Sequence, residues 1–240
     1  MTRLGTDAAS LERRREIVRA ALDLLEEHGF ERLSLRRLAT HLGMHAPGLY
    51  WYIESKQALI NLMAKTILDE GLGSVAPLAN GQSWQDWLIE LACTTRRALL
   101  AYRDGARVVA SAYVVRTGTI TPTIEQSLEI LENAGFDRFF ALGATMTVFR
   151  YATGIALDEQ ASPLQPSPNE SMAERIAKLP KPEIDASRFP RTAEALTTAF
   201  NKELSHMQVD DAQERLFRFG AEMFVRGLAL KTSLSQAGGR

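Results

Sequence analysis

Leu35-Arg36-Arg37-Leu38-Ala39-Thr40-His41-Leu42-Gly43-Met44-His45-Ala46-Pro47-Gly48-Leu49-Tyr50-Trp51-Tyr52 reads as two short helices joined by a glycine corner. Ser34 precedes the first helix and can cap it, and Leu35, Leu38, Ala39 and Leu42 recur at the spacing of one buried face. Arg36, Arg37 and His41 fall on the other face. Gly43 can take the left-handed conformation that a sharp helix-helix corner needs, with Met44 filling the space beneath it. The second helix begins near Ala46; Pro47 suits a first turn, where its missing N–H costs nothing, and Leu49 and Ile53 face inward. The spacing leaves Gly48, Tyr50, Trp51 and Tyr52 largely exposed. Three adjacent aromatics without apolar partners at helical spacing suit a DNA groove, where tyrosine hydroxyls donate to phosphates and rings pack on sugars and thymine methyls. The alternative is that one or two of them pack against neighbouring helices.

Upstream, residues 10–28 form an amphipathic helix with Ile17, Ala20, Ala21, Leu24 and Leu25 on one face, stopped by Gly29 and followed by Phe30. Three helices therefore make one helix-turn-helix domain. Arg13, Arg14 and Arg15 near its start can reach a phosphate, but Glu12 and Glu16 beside them favour a solvated face.

Composition sets the bounds. The chain has 240 residues, 45% of them hydrophobic, which is enough for a substantial core in one or two domains. A single cysteine, Cys93, excludes an internal disulfide and fits a reducing cytoplasm. The N-terminus is charged and does not read as a signal peptide, and no uninterrupted apolar run approaches a membrane span, so no membrane partner is expected. Lys plus Arg number 28 against 29 Asp plus Glu, which at first argues against a nucleic-acid partner. Distribution matters more than the total: from Arg32 to Lys56 there are four basic residues and one acidic. So small an excess implies few phosphate contacts per head, and tight binding then requires two heads on one molecule.

Beyond Ser55 the pattern is long helices. Leu59, Leu62, Met63, Thr66 and Ile67 mark one over residues 56–70, ended by Gly71 and Gly73. Ser83 with Asp86 caps a helix bearing Trp84, Trp87, Leu88, Leu91, Thr95, Ala98 and Leu99, running to about Arg103. A short apolar helix follows at 106–113, and Thr121-Pro122 opens another that ends at Ala134-Gly135. Asp137 caps a long helix, and a second runs over about 210–235; both are apolar over a wide arc, so each needs cover from its own subunit and from a second copy. Gly143, Gly154, Gly220 and Gly227 permit close helix approach. Six of the nine prolines lie between Pro163 and Pro190, marking a mobile surface loop at about 161–188 that can form a flap.

No catalytic constellation emerges. His28, His41, His45 and His206 are not spaced as a metal cluster, and there is no paired cysteine, HExxH, phosphate-gripping glycine loop or Gly-x-Ser-x-Gly elbow. Neither enzyme activity, cofactor nor metal is expected.

The run of helix, Gly29-Phe30, Ser34-Leu35-Arg36-Arg37-Leu38-Ala39, Leu42-Gly43-Met44, Leu49-Tyr50-Trp51-Tyr52-Ile53 and Ser55-Lys56 closely resembles the DNA-binding domain of TetR-type transcriptional repressors. Ser83-Trp84-Gln85, Arg96-Arg97-Ala98-Leu99-Leu100, Tyr102-Arg103-Asp104-Gly105-Ala106 and Ala134-Gly135-Phe136 resemble landmarks of the family's tetracycline-responsive effector domain. The resemblance implies an all-α fold: a helix-turn-helix domain at 1–55 and a larger helical effector-binding and dimerisation domain at 56–240. It implies a homodimer on a palindromic double-stranded operator, with DNA contacts at Arg36, Arg37, Ala46, Pro47, Gly48, Tyr50, Trp51, Tyr52 and Lys56. Ala46, Pro47 and Gly48 offer no side-chain hydrogen bonds, so thymine methyls and DNA shape carry much of the readout.

Departures from the pattern bear on the ligand. The positions that hold the drug and its metal in tetracycline repressors fall on Leu72, Leu91, Val109, Ser127 and Asp158, of which only Asp158 keeps its acid. Thr95 stands in place of an aromatic, and Ala112 and Tyr113 replace a Thr-Arg pair. Leucine and valine cannot coordinate magnesium, and each unmatched buried polar group of a polyhydroxylated ligand costs about 1–3 kcal/mol. An apolar or aromatic effector fits better, anchored by Thr95, Tyr113, Ser127 and Asp158. Two alternatives stay open: Leu72, Leu91 and Val109 fill the pocket and the regulator answers to a protein partner or its own abundance, or the chain is a helical enzyme built on Asp158.

Overall fold

The computed structural model describes residues 3–73, 75–162, 174, 184–206 and 209–237. Its elements are α1 (Arg3–His28), a 3-10 turn (Phe30–Arg32), α2 (Leu35–His41), α3 (Ala46–Tyr50), α4 (Lys56–Leu72), α5 (Trp84–Leu100), α6 (Gly105–Ala110), α7 (Thr121–Asn133), α8 (Arg138–Ala161), α9 (Pro190–His206) and α10 (Val209–Ala237). No strand occurs among the described residues.

The N-terminal unit forms as its local signals direct. Gly29 turns the chain at φ +75° after α1, and Gly43 does so at φ +62° between α2 and α3. Ser34 Oγ accepts from Arg37 N at 3.2 Å, satisfying one of the donors a helix start leaves without a partner. Leu38, Leu49 and Ile53 are fully buried against Ile17, Ala21 and Leu25 of α1. Arg13 pairs with Glu16 and Arg15 with Glu12, as expected of a solvated face.

Helix α4 is capped by Ser55 and belongs to both halves of the molecule. Its Leu59, Met63 and Ile67 sit in one apolar cluster with α1–α3 residues and with Leu99, Val108, Val109 and Ala156 of the C-terminal half. The packing therefore runs across residue 55 without a break. Gly71, expected to end this helix, lies inside it: a Cβ there would stand 2.0 Å from the Ala98 Cβ, so glycine is what lets α4 and α5 touch. Packing overrides glycine's poor helix propensity at this crossing.

Helix α5 is the centre of the C-terminal half, in contact with α4, α6, α7, α8 and α10. Helix α6 is shorter than its apolar pattern suggests, ending at Ala110 and not 113. Helix α8 is long and apolar enough to cross a membrane by length and composition, but Arg150 interrupts it and α5, α6, α7 and α10 pack along it. Helix α9 adds an element beyond those expected from the sequence; Pro190 at its first position is the start signal that the preceding proline-rich stretch obscures. Most of the expected loop at 161–188, residues 163–173 and 175–183, lies outside the described residues.

Helix α10 buries Phe217, Ala221 and Val225 against α5 and α8, and turns Leu216, Phe219, Met223 and Leu230 to solvent. Phe139, Phe140 and Leu142 of α8 are also exposed. Gly220 permits a close approach within the subunit, its missing Cβ leaving room for the Tyr151 hydroxyl, while Gly143, Gly154 and Gly227 face open space.

Candidate DNA-reading head and effector cavity

The reading surface follows from what α2 and α3 leave outside. Trp51 is 88% exposed and Tyr50 is 51% exposed, while Arg36, Ala46, Pro47 and Lys56 also lie on the surface. Tyr52 departs from expectation: three residues after Leu49 it shares the inward side, and it is half-buried against the core. Gly48 is half-buried as well, beside Met44. Arg37 donates to the Arg32 carbonyl at 3.3 Å, and the Lys56 ammonium sits 5.5 Å from the Phe30 ring centroid, so both cations are held in place at the edge of the head. Truncating Trp51, Tyr50 or Arg36 to alanine is expected to weaken duplex binding by about tenfold each, within the range of about 1–3 kcal/mol for a good base contact, with little change in melting temperature. Unchanged affinity in all three would refute this surface.

The turn before α6 clasps the back of the head. Asp104 adopts a left-handed φ of 54° and its Oδ2 accepts from Phe30 N at 2.8 Å. Arg103 donates to the Glu26 and Glu27 carbonyls at 3.0 and 3.2 Å, and Arg107 pairs with Glu31 and lies 5.1 Å from the Phe30 ring centroid. Gly105 has no room for a side chain, since a Cβ would stand 2.3 Å from the Leu99 carbonyl oxygen. A second contact joins α1, α4 and the α5 end: Glu70 accepts from Arg19 and Tyr102, and these two bonds, Arg19's first, hold its carboxyl below the usual range.

Between α5, α7 and α8 lies an apolar cavity lined by Leu91, Thr95, Ile120, Thr123, Ile124, Thr145, Met146 and Phe149. Side chains nearly fill it, leaving a free volume of about 10 Å³, roughly the space that seats one water molecule. Thr95 and Thr145 donate their hydroxyls to the Leu91 and Ala141 carbonyls, and the lining carries no charge. Of the residues expected at an effector site, Leu91 and Thr95 are brought together here. Val109, Leu72 and Ala112 pack as core, and Ser127 is buried with its hydroxyl donated to the Thr123 carbonyl at 2.7 Å. Tyr113 is 54% exposed and Asp158 lies on the surface. The reason for Asp158 is helical phase: Glu159, one residue on, takes the inward position and Asp158 turns away.

Helices α5, α8 and α10 also hold a buried ion cluster. Arg96 of α5 donates to both Glu159 oxygens of α8, from Nε at 2.9 and 3.1 Å and from Nη2 at 2.8 Å. Its Nη1 pairs with Glu214 of α10, and its guanidinium carbon lies 5.4 Å from the Phe217 ring centroid. One signal could have found it: Arg96 and Glu159 are opposite charges, each interrupting an apolar stripe, Ala92-Leu99 on α5 and Ala152-Ala156 on α8. The cavity wall from α7 and α8 had no such marker.

Comparison with known proteins agrees with this arrangement. Residues 17–63 match the family described as bacterial regulatory proteins, tetR family, and residues 76–232 match the tetracyclin repressor-like C-terminal domain. The class A tetracycline repressor from transposon 1721 of Escherichia coli is 41% identical over 146 residues, 60% of this chain and 66% of that protein. The class D repressor of Escherichia coli is 33% identical over 229 residues, 93% of this chain and 92% of that protein. The structure of a possible TetR family transcriptional regulator from Streptomyces coelicolor A3(2) superposes with a TM-score of 0.72 at 30% identity, over 90% of this chain and 98% of that one. A helix-turn-helix head, a helical domain built on α5 and α8, and similarity along nearly the whole length place this chain in the TetR family of DNA-binding transcriptional regulators.

Proposed function

We infer that the protein is a ligand-responsive repressor that binds a palindromic operator as a homodimer in the cytoplasm and is released by a small apolar or aromatic molecule. The observation that carries this reading is the apolar, uncharged lining that α5, α7 and α8 bring together around a small cavity. The Thr95 and Thr145 hydroxyls are engaged by their own helices, so the lining rewards apolar contact above all. Ligand sites run from about 300 to 1,000 Å³, and a cavity of about 150 Å³ binds benzene. With a free volume of about 10 Å³ the site must widen to take even a single ring, and its lining favours an apolar one. The tetracyclines named in its relatives need polar and metal-binding partners, whereas Leu72, Leu91 and Val109 stand where the family places them. Dimerisation is supported by the apolar residues left uncovered on α8 and α10. The residues at 1–55 serve as the DNA-binding unit and those at 56–240 as the effector and dimer unit, and as a regulator the protein carries out no catalysis.

Thermal melting in the presence of toluene, p-cymene and indole tests the ligand class. A rise in melting temperature, with release of a duplex selected by the protein from a random pool, is expected for at least one of them. Tetracycline with magnesium is expected to leave the protein–DNA complex intact; release at low concentration would overturn the ligand class. A second reading is favoured by the small free volume of the cavity, about 10 Å³: a regulator with a filled core that is controlled by a protein partner or its abundance. It predicts no shift with any apolar compound.

A further inference from the structure

His28, His41 and His45 all lie exposed on the head, and the first two share one concavity. It opens between the C-terminal end of α1 and α2, has a free volume of about 540 Å³, and is walled by His28, Ser34, Arg36, Arg37, Thr40 and His41. No carboxylate lines it. Ser34 Oγ accepts from Arg37 N, which leaves its own O–H to donate, whereas Thr40 gives its proton to the Arg36 carbonyl at 3.0 Å. The Arg36 and His41 side chains have no hydrogen-bond or ion-pair partner among the described residues. The acids on the packed elements are engaged or face elsewhere: Glu26 accepts from Arg103 N, Glu31 pairs with Arg107, and Asp23 lines a different groove against α4. Glu27 stands 3.6 Å from His28 Nε2, itself exposed, and α3 carries no charged residue. A wall of guanidinium, imidazole and hydroxyl donors suits a phosphate, whose oxygens accept.

We propose that this concavity seats a phosphate of the DNA backbone and that His28 and His41 hold it in their protonated form, so that the head grips DNA more tightly as pH falls. The first helix of a helix-turn-helix crosses the DNA backbone, and α2 holds that place. A neutral imidazole offers one N–H and no charge; a protonated one donates from both nitrogens and adds a charge. Histidine is also the side chain whose charge ordinarily changes between about pH 5 and pH 8. Seating the phosphate is therefore coupled to proton uptake: affinity is highest with both imidazoles charged and falls as rising pH strips them. Phosphate contacts carry no sequence information, so pH changes the strength of binding and not the choice of operator. The coupling rests on DNA binding alone and needs no effector.

Affinity for the selected duplex, measured at fixed ionic strength across this pH range, tests the seat. The wild type is expected to bind about tenfold more tightly at about pH 6 than at about pH 8, the worth of one hydrogen bond to a charged group. Its salt dependence is expected to steepen at the lower pH by about one phosphate contact. His28→Gln with His41→Gln is expected to bind with the wild type's pH 8 affinity throughout, with little change in melting temperature because both side chains are exposed. His41→Arg, which fixes the charge, is expected to keep tight binding at the higher pH. His45→Gln, outside the concavity, is expected to retain the pH dependence. Wild-type affinity indifferent to pH overturns the proposal, as does a dependence that survives the double variant or disappears with His45→Gln. Inorganic phosphate at matched ionic strength is expected to leave the complex intact; displacement of the duplex that requires His28 and His41 would assign the seat to a free anion and defeat the DNA assignment.

Discussion

Replacing Arg96 with methionine is expected to remove about 3–5 kcal/mol of stability, the range found when one partner of a buried ion pair is deleted. Arg96 and Glu159 are each about 94% buried, by relative exposures of 6% and 6%. The substitution leaves a buried carboxylate without the guanidinium that neutralises it, and three short hydrogen bonds vanish together. It also removes the cation above Phe217 and the contact to Glu214, loosening α10 from α5. Against a net stability of about 5–15 kcal/mol, such a loss is a large fraction of the whole. At roughly 2–4 °C per kcal/mol for a chain of this size, the melting temperature falls by about 6–20 °C, measured at fixed protein concentration. Lysine at 96 recovers little, because an ammonium cannot make the forked contact to both oxygens. The double substitution Arg96→Met with Glu159→Leu recovers most of the loss, since desolvating an ion pair costs about as much as the attraction returns. A drop below about 1 kcal/mol in the single variant would show that water reaches the cluster.

That cluster also marks where sequence stops being a guide. The head was legible because its instructions are local: Ser34 caps within three residues, Gly43 turns at its own φ, and Leu49 and Ile53 fall on one face by period alone. Tyr52 shows the limit even there, since its burial is decided by what α1 and α4 place opposite it. Gly71 reads as a stop in the sequence because nothing near it mentions Ala98, 27 positions away, whose Cβ occupies the missing side chain's place. The cavity is harder still. Leu91 and Thr95 could be matched by motif on α5, but Ile120 at the cap of α7, Thr123 and Ile124 of α7 and Thr145, Met146 and Phe149 of α8 line it only because those helices cross α5. Periodicity reveals which face of a helix is apolar; it does not say whether that face closes on core, on a ligand or on another subunit. Asp158 and Glu159 make the same point at single-residue resolution, where a rotation of one position decides which acid is inside.

Glutamate at both Leu216 and Phe219 is expected to split the proposed homodimer and lower duplex affinity by about 10²–10⁴-fold, the usual gain from joining two binding units. These side chains are 63% and 62% exposed in the protomer, so the substitutions leave its core intact, and a twofold axis places four new carboxylates in one interface. Like charges brought together and desolvated cost several kcal/mol, more than enough to dissociate the pair at micromolar concentration. A single head, with its small excess of positive charge, then binds with its own few phosphate contacts and no tethered partner. Leu11→Glu, at a residue 55% exposed on α1, serves as the control and is expected to leave the dimer whole. Sedimentation reads the assembly state, and duplex binding at fixed salt reads the consequence. A monomeric variant that held DNA as tightly as the wild type would refute the two-headed mechanism. A variant that stayed dimeric would move the interface off α10, leaving the exposed stripe of Leu216, Phe219, Met223 and Leu230 without the second copy assigned to cover it.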